Sequence, residues 1–380
     1  MKEKIGLVVM FKISEPGGAP SVIVNAIRAL NKMGKEVHLL TPFKLNYARI
    51  KELYGDIKIR KTYYPNKLKS VICQTNFLPR RFMKKEFNEM MREVDLVIDI
   101  DGGYMHNFLT PENYNKYIIW RFSCVNIYSD SDWSFKRKFI EKVKTILGAR
   151  TLTIPSSNHR IYAVDEWTGK EMRKNYNLNT EDIRLYPVIR VEDFFGNNNN
   201  KKNQISIFGR ISPHKLIEDS IKIFAKGTSN YNDYELVIFG AATADTPEYL
   251  NKLNKLIKNL GIGSRVKIIQ NPSFEDLKRI LAESKIIIDS QREVSNTLTT
   301  IEAMSSGNII LIHRNSGCFT EVLKNGELGF GFENVEEGGR VLSEVLNKGD
   351  NIETKDLVER SKDFSEDNFI KRLNQIIMEN

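Results

Sequence analysis

The chain has 380 residues and a formal net charge of +9 at pH 7. This length exceeds that of one ordinary domain and predicts two. Apolar residues make up 41% and charged residues 28%, which is typical of a soluble globular enzyme and argues against a disordered or fibrous chain. The longest apolar run, Ile5 to Phe11, has seven residues, whereas a membrane-spanning helix needs roughly 20. We therefore expect no membrane span, and no signal peptide because no cleavage-site pattern follows that run.

Cysteine usage and charge distribution indicate the compartment and the partners. Cys73, Cys124 and Cys318 form no CxxC or Cys/His pattern, which predicts reduced thiols in a cytoplasmic protein and argues against structural zinc. The positive charge lies in the first half, because residues 1–200 hold 33 basic and 22 acidic residues. Within that half, 61–90 and 133–144 interleave basic residues with aromatic and apolar ones.

Two interpretations of these basic stretches stay open. A basic helix that carries aromatic residues can lie on an anionic membrane surface, where each nearby cation contributes on the order of 1 kcal/mol. An ordinary amphipathic helix, with its lysines in solvent and its aromatic residues in the core, explains either stretch as well. Nucleic acid is not expected as a partner, because no nucleic-acid-binding motif accompanies the charge.

The hydrophobic pattern of the first half predicts a βαβ unit that opens a parallel sheet. The buried strand 4–11 precedes a helix over 21–33, which Gly34 ends, and the strand 36–41 follows. Further strands are predicted at Asp95–Ile100, Tyr117–Trp120 and Thr151–Ile154.

A polar, asparagine-rich segment over 191–203 reads as a linker, after which a second strand-and-helix series begins. The predicted elements of this series are strands at 204–209, 234–240, 265–269, 285–289 and 308–313, and helices at 217–225, about 247–260, 274–282 and about 297–306. The fold class is therefore α/β, with two doubly wound parallel-sheet domains of similar size that face a cleft.

Several strand-to-helix turns carry residues suited to an anionic ligand. Gly17 and Gly18 let the backbone approach a ligand in front of a helix N-terminus, although a plain tight turn explains them too. Gly209 ends a strand and is followed by Arg210 and Lys215, and these two cations can clamp a diphosphate without a metal ion. The alternative is a pair of ordinary surface cations in a loop.

The segment from Asp289 to Met304 ends a strand and begins a helix near Thr297, whose first amides can bind phosphate. Glu302, within that helix, can accept hydrogen bonds from both hydroxyls of a ribose. A helix-surface carboxylate is the plain alternative for Glu302, and a solvated loop acid is the alternative for Glu293. The turn from Asn315 to Glu321 lies at the same predicted sheet edge and, alone, reads as a connection.

In this order and spacing the motifs resemble those of the family-4 group of retaining glycosyltransferases, which have the GT-B fold. The resemblance is strong over about 204–330, which includes Glu-Ala-Met-Ser-Ser-Gly307, clear for 5–41 and thin between 42 and 200. It implies a Rossmann-like acceptor-binding domain over 1–195 and a Rossmann-like nucleotide-sugar-binding domain over 204–362. It also implies a final segment, 363–380, whose helix crosses back onto the first domain.

The resemblance further implies roles for single residues. Arg210 and Lys215 would hold the donor diphosphate, Glu302 the nucleotide ribose, and Glu293 hydroxyls of the donor sugar. The implied donor-binding residues are Gly17, Gly18, Gly209, Arg210, Lys215, Gly240, Ile269, Glu293, Thr297, Leu298 and Glu302. The implied catalytic residues are Arg210, Lys215, Glu293 and Asp101. No metal or other cofactor is expected, although Asp99-Ile100-Asp101 resembles a metal-chelating pair.

The sequence departs from the family pattern at two places. Eight residues separate Glu293 from Glu302 where the family usually has seven, which either bulges the loop or alters the donor-sugar contact. Ser123 stands where many members have a histidine. Asp101 and His106 are the nearest candidates for its role, and His106 reads equally well as a loop histidine.

The implied activity is metal-independent, retaining, hexosyltransferase-like transfer of a sugar from a nucleotide-diphosphate sugar to a saccharide or lipid-linked acceptor. Such a glycan-biosynthesis enzyme would be cytoplasmic or peripheral at the cytoplasmic face of a membrane. The alternatives are a degenerate GT-B protein that binds nucleotide sugar without transfer, and a same-fold sugar phosphorylase or epimerase.

Overall fold

A computed structural model describes residues 3–15, 17–66, 70, 80–100, 105–122, 159–195, 201–243, 245–295 and 297–379. The chain divides into two compact units. Unit 1 consists of Met1–Val188 and Glu366–Asn380, and unit 2 of Ile189–Ser365. Among the described residues, no helix has the length and apolar character that crossing a membrane requires.

In its described residues, unit 1 is built on a six-stranded parallel sheet in the order β3-β2-β1-β4-β5-β6. The strands are β1 (Lys4–Val8), β2 (Glu36–Leu40), β3 (Lys61–Tyr63), β4 (Leu96–Ile100), β5 (Tyr117–Arg121) and β6 (Arg160–Ala163). The helices that precede the second unit are α1 (Gly18–Lys32), α2 (Tyr47–Tyr54), α3 (Lys84–Glu93) and α4 (Glu166–Tyr176). β1 and β4 are almost wholly buried, as expected of central parallel strands covered on both faces.

Unit 2 repeats this architecture, and its described strands follow the order β12-β11-β10-β7-β8-β9. The strands are β7 (Gln204–Phe208), β8 (Glu235–Gly240), β9 (Val266–Gln270), β10 (Ile286–Asp289), β11 (Ile309–His313) and β12 (Phe330–Phe332). The strand order reverses between β7 and β10, and ligands of open parallel sheets bind outside the carboxyl ends of the strands at such a point.

Seven helices of the described chain follow β7, and the last of them returns to unit 1. They are α5 (Ile217–Gly227), α6 (Thr246–Asn259), α7 (Phe274–Glu283), α8 (Leu298–Ser305), α9 (Val335–Lys348), α10 (Lys355–Ser361) and α11 (Glu366–Met378). Within unit 1, the ring of Phe369 on α11 lies 5.4 Å from that of Trp120 on β5. Glu366 forms an ion pair with Lys32 at the end of α1.

The predicted strands between 204 and 313 are present within one residue of their expected ends. In unit 1 the bounds differ more: β1 ends at Val8 rather than Phe11, and α1 begins at Gly18 rather than Ser21. The helix extends forward because proline is tolerated in a first turn, where its missing N–H has no intrahelical partner. The predicted strand at 151–154 lies outside the described residues, and β3, β6 and β12 were not predicted.

Residues 189–195, which the sequence analysis placed in the first domain, group with unit 2. The amide of Ile189 donates to the carbonyl of Phe364 at 3.2 Å, and Val191 and Phe194 are buried. Unit 2 thus begins before the asparagine-rich linker.

The apolar residues of the first basic stretch lie in the core of unit 1 where the structure describes them. Met83, Phe87, Met90 and Met91 are buried in one hydrophobic cluster with Tyr117. The lysines at the start of α3 are exposed or half-buried, and the plain amphipathic interpretation therefore holds for this helix. Residues 71–79 and the second stretch, 133–144, lie outside the described residues.

Candidate functional site

Two glycines end neighbouring strands at the carboxyl edge of the unit 2 sheet. Gly209 follows β7 and Gly240 ends β8, and their φ values are +147° and +149°, where L side chains are strained. The Gly209 amide donates to the Phe239 carbonyl at 3.1 Å. A Cβ atom at Gly240 would lie 1.9 Å from the Gly209 carbonyl oxygen, so a side chain there would collide with the backbone. The strand ends can approach each other this closely because Gly240 has no side chain.

Lys215 lies across this glycine surface. A Cβ atom at Gly209 would lie 2.7 Å from Cε and 3.2 Å from Nζ of Lys215. The Lys215 side chain is 14% exposed, and its ammonium nitrogen lies 3.9 Å from Oδ2 of Asp289. Arg210, in contrast, is exposed and forms no ion pair with any other described residue. The two predicted diphosphate ligands therefore lie at the switch point, one held against the protein and one free to reach a ligand.

Asp289 ends β10 and is 7% exposed. Its Oδ1 accepts a hydrogen bond from the Gln291 amide at 3.0 Å, and its Oδ2 lies 3.5 Å from the Thr300 hydroxyl on α8. The next residue, Ser290, bonds through its hydroxyl to that of Ser220 on α5 at 2.7 Å. These contacts fix the start of the loop that leads to α8.

The loop holds Glu293 in a left-handed conformation with φ +56°. Its amide donates to the Asn315 carbonyl at 2.7 Å, and the Gly317 amide donates to the Val294 carbonyl at 2.8 Å. The loop is thus joined to the turn after β11. The Glu293 side chain is exposed.

The N-terminus of α8 has no side-chain cap among the described residues. Thr297 occupies the capping position, but its hydroxyl bonds to that of Thr300 at 2.7 Å instead of to a first-turn amide. The amide of Thr297 itself points to Sγ of the buried Cys318 at 3.1 Å. Because the first amides of a helix have no intrahelical acceptor, those from Leu298 onward can bind an anion.

Glu302 lies one turn further along α8. Its carboxylate is only partly exposed and forms no hydrogen bond or ion pair with another described residue. Burial raises its pKa to about 7. An unpaired carboxylate in such surroundings is unfavourable unless hydrogen-bond donors reach it, and ligand hydroxyls could supply them.

In unit 1, the Gly17–Gly18 turn is braced by one side chain. The Gly17 amide donates to the hydroxyl of Tyr54 at 2.9 Å, and that hydroxyl donates to the Glu15 carbonyl at 2.6 Å. Gly18 then begins α1, whose N-terminus also lacks a side-chain cap from the part of the chain that the structure describes. The turn is fixed by α2 and leaves the first amides of α1 available.

Other predicted site residues are placed differently. Asp101 and Ser123 lie outside the described residues. Asp99 accepts hydrogen bonds from the Met105 amide at 2.9 Å and from the Tyr117 hydroxyl, and is buried. His106 is buried, with its ring 5.2 Å from that of His159. In the described chain, no group of three metal-ligating side chains occurs. Ile269 lies half-buried on β9, in register with Phe239 of β8.

The structure thus brings Gly209, Arg210, Lys215, Gly240 and the start of α8 together at one edge of unit 2. In the sequence, Asp289 marks only the start of a motif, and no role was predicted for it. Its signal was a lone carboxylate at the end of an otherwise apolar strand.

Comparison with known proteins concerns the family and the fold. Residues 189–364 match the family model described as glycosyl transferases group 1. The GDP-Man:Man(3)GlcNAc(2)-PP-Dol alpha-1,2-mannosyltransferase of Xenopus laevis is 23% identical over 195 residues, 48% of this chain and 40% of that protein. The chain thus matches well under half the length of this curated relative.

Solved structures match over the whole chain. A glycosyltransferase from Rickettsia africae has a TM-score of 0.70 and 17% identity, covering 100% of this chain and 98% of its own. HepE of Anabaena, solved in complex with UDP, has a TM-score of 0.69 and 14% identity, covering 100% of both chains. The GT-B fold class and the resemblance to group 1 glycosyltransferases are therefore confirmed.

Proposed function

We propose that this chain, with its group 1 glycosyltransferase match, transfers a hexose from a nucleotide-diphosphate sugar to a saccharide or lipid-linked acceptor. Transfer proceeds with retention of the anomeric configuration and without a metal ion. One observation carries the proposal: Arg210 and Lys215 lie beside a side-chain-free glycine surface at the strand-order reversal of unit 2. That arrangement suits a diphosphate, which needs close backbone approach and positive charge.

The chemical role of the cations follows from the leaving group. As the bond between the sugar and the diphosphate breaks, negative charge grows on the phosphate oxygen. Arg210, Lys215 and the first amides of α8 stabilise that charge, and Lys215 and the amides are held in place before the reaction starts. The leaving phosphate itself helps to deprotonate the acceptor, and no separate general base is then required.

The rest of the donor is held by α8 and the loop before it. The unpaired Glu302 carboxylate accepts hydrogen bonds from the ribose hydroxyls, and the exposed Glu293 faces hydroxyls of the sugar. Ile269 and the end of β9 frame the nucleotide base. For Asp101, Gly17 and Gly18 the roles are those that the family resemblance implies, catalytic for Asp101 and donor-binding for the two glycines.

The comparisons support two donor classes and one acceptor class. The matched mannosyltransferase is named for GDP-mannose and a dolichyl-linked acceptor, and HepE was solved with UDP. We assign this chain a UDP- or GDP-linked hexose and a lipid-linked saccharide. The excess of basic residues in 1–200 suits an anionic membrane surface at which such an acceptor resides.

The donor site is tested by thermal shift of the purified chain with UDP, GDP and ADP and their hexose conjugates, in EDTA. Binding stabilises the folded state by RT ln(1 + [L]/Kd), and one nucleotide is expected to raise Tm clearly. Arg210→Ala should abolish the shift. Arg279→Ala, which removes an exposed arginine paired with Asp276 on α7, should keep it. A shift that requires Mg²⁺ would contradict metal independence.

Transfer and stereochemistry need separate assays. Product anomers are identified by proton NMR coupling constants after incubation with the donor and a lipid-linked saccharide. A product with the donor's configuration is expected, and an inverted product would contradict retention. Nucleotide binding without any transfer would favour a degenerate binding protein. Conversion of the donor sugar to its epimer without an acceptor would favour an epimerase. A requirement for free phosphate would favour a phosphorylase.

A further inference from the structure

We infer that Asp289 is a positioning residue that holds the Lys215 ammonium ready for the donor diphosphate; this inference rests on the proposed function. The carboxylate lies 3.9 Å from the ammonium, and both side chains are largely buried, at 7% and 14% exposure. No role follows for Asp289 from the motifs alone.

Gly209 and Asp289 together hold the Lys215 side chain. A lysine side chain is flexible, and the loss of rotamer entropy opposes any single geometry. Here its stem lies along Gly209, where a Cβ atom would come within 2.7 Å of Cε. The glycine surface fixes the path of the stem, but it offers no attraction to the charge at its end. Asp289 supplies that attraction.

The contact between Lys215 and Asp289 is longer than a hydrogen bond. At 3.9 Å the ammonium and the carboxylate attract each other but do not form a hydrogen bond, which needs about 2.7–3.2 Å. The N–H groups of Lys215 are therefore not consumed by Asp289. The carboxylate orients the charge and leaves its donors for a phosphate.

Asp289 is itself held by contacts with Gln291 and Thr300. Its Oδ1 accepts the Gln291 amide at 3.0 Å, and its Oδ2 lies 3.5 Å from the hydroxyl of Thr300 in the first turn of α8. Asp289 thus connects the cation that follows β7 with the helix whose N-terminal amides would meet the same diphosphate. Asp289 therefore contacts Lys215 and α8, two of the three groups that the proposed function assigns to the leaving phosphate.

This arrangement makes a distinctive kinetic prediction for Asp289→Asn. Removing a negative charge beside an anion site strengthens binding, whereas loosening Lys215 weakens it, and the two effects oppose each other. The Kd of the nucleotide should therefore change by less than about threefold. Turnover depends on Lys215 being in place as charge develops, and it should fall about tenfold to a hundredfold, as small misplacements of catalytic groups do.

The experiment compares wild type, Asp289→Asn, Lys215→Met and the double variant. Binding of UDP, GDP and ADP is measured by titration calorimetry, and turnover by nucleotide release from the matching nucleotide-hexose in the presence of a lipid-linked saccharide as acceptor. Glu235→Gln is the control, because it removes an exposed carboxylate paired with Lys267 at 3.1 Å at the amino end of β8. Tm is measured for every variant, and Asp289→Ser replaces Asp289→Asn if the latter does not fold.

If Asp289 acts through Lys215, the double variant turns over no more slowly than Lys215→Met, because residues that act as one unit are not additive. Wild-type turnover in Asp289→Asn would overturn the inference. So would a loss that multiplies with that of Lys215→Met, which would indicate a general structural role. Wild type that neither binds any of the nucleotides nor releases one would overturn the proposed function, and this inference with it.

Discussion

Replacing Gly240 by alanine tests how closely the strand ends of unit 2 must approach. The new Cβ atom would lie 1.9 Å from the carbonyl oxygen and 2.6 Å from the carbonyl carbon of Gly209. No side-chain rotation relieves this, since both collision partners are backbone atoms. Gly240 also has a φ of +149°, which an alanine adopts only with strain.

The loss of stability in Gly240→Ala is the sum of the backbone strain at residue 240 and the collision with the Gly209 carbonyl. A residue in a sparsely populated backbone region costs about 1–3 kcal/mol, and displacing the Gly209 carbonyl adds strain of similar size. We expect a loss of about 4 kcal/mol in the free energy of unfolding of unit 2. For a unit of this size, that corresponds to a Tm lower by about 8–16 °C. Because Gly209 supports Lys215, nucleotide binding should also weaken.

The assay is thermal and urea unfolding of three alanine variants. Gly263→Ala meets no atom within 4 Å and has no left-handed φ, so its stability should equal that of wild type. Gly261→Ala also meets nothing but has φ +68°, which isolates the backbone strain at about 1 kcal/mol. If Gly240→Ala proves as stable as Gly263→Ala, the described approach of β7 and β8 is wrong.

Three further predictions concern other groups. Burial raises the pKa of Glu302 from 4.5 to about 7, so wild-type stability should fall as pH rises between these values. Relative to wild type, the free energy of urea unfolding of Glu302→Gln should rise by about 2 kcal/mol between pH 5 and pH 8. A difference in unfolding free energy that does not change with pH would refute this. Tyr54→Phe removes the hydroxyl that braces Gly17 and should cost about 1–2 kcal/mol in the same assay. Lys201→Ala removes the donor to the Ser306 carbonyl after α8 and one of the donors to the Leu281 carbonyl on α7, which keeps those of Asn308 and Ser284, and should cost about 1–2 kcal/mol. Lys202→Ala, which removes an exposed ion pair, should cost under about 1 kcal/mol, and equal costs would contradict this.

The central strands could be predicted because burial on both faces leaves a continuous apolar signal. β4 and β10 are buried throughout, and each consists of isoleucine, leucine or valine apart from one aspartate. The edge strands β3 and β12 carry no such signal: β3 reads Lys-Thr-Tyr and β12 reads Phe-Gly-Phe, three residues each. Their pairing depends on β2 and β11 being in place, which local sequence does not encode.

The donor motifs could be predicted because strand, glycine and cation occur together along the chain. The sequence could not reveal that Lys215 crosses Gly209, since that contact depends on the left-handed turn at Leu216 and on Asp289, 74 positions after Lys215 in the printed sequence. The bracing of the Gly17 turn by Tyr54 was missed for the same reason, because 37 positions separate them. Long-range contacts of polar side chains have no periodicity from which to read them.

Metal-free nucleotide binding at the end of β7 is the most direct test of the assigned donor site. Calorimetry with UDP, GDP and ADP in EDTA should show one of them binding to wild type. Arg210→Ala should bind that nucleotide at least about tenfold more weakly, as loss of a charged hydrogen-bond partner implies. Equal affinity in wild type and Arg210→Ala would contradict the assigned donor site, and so would no binding of any nucleotide at millimolar concentration.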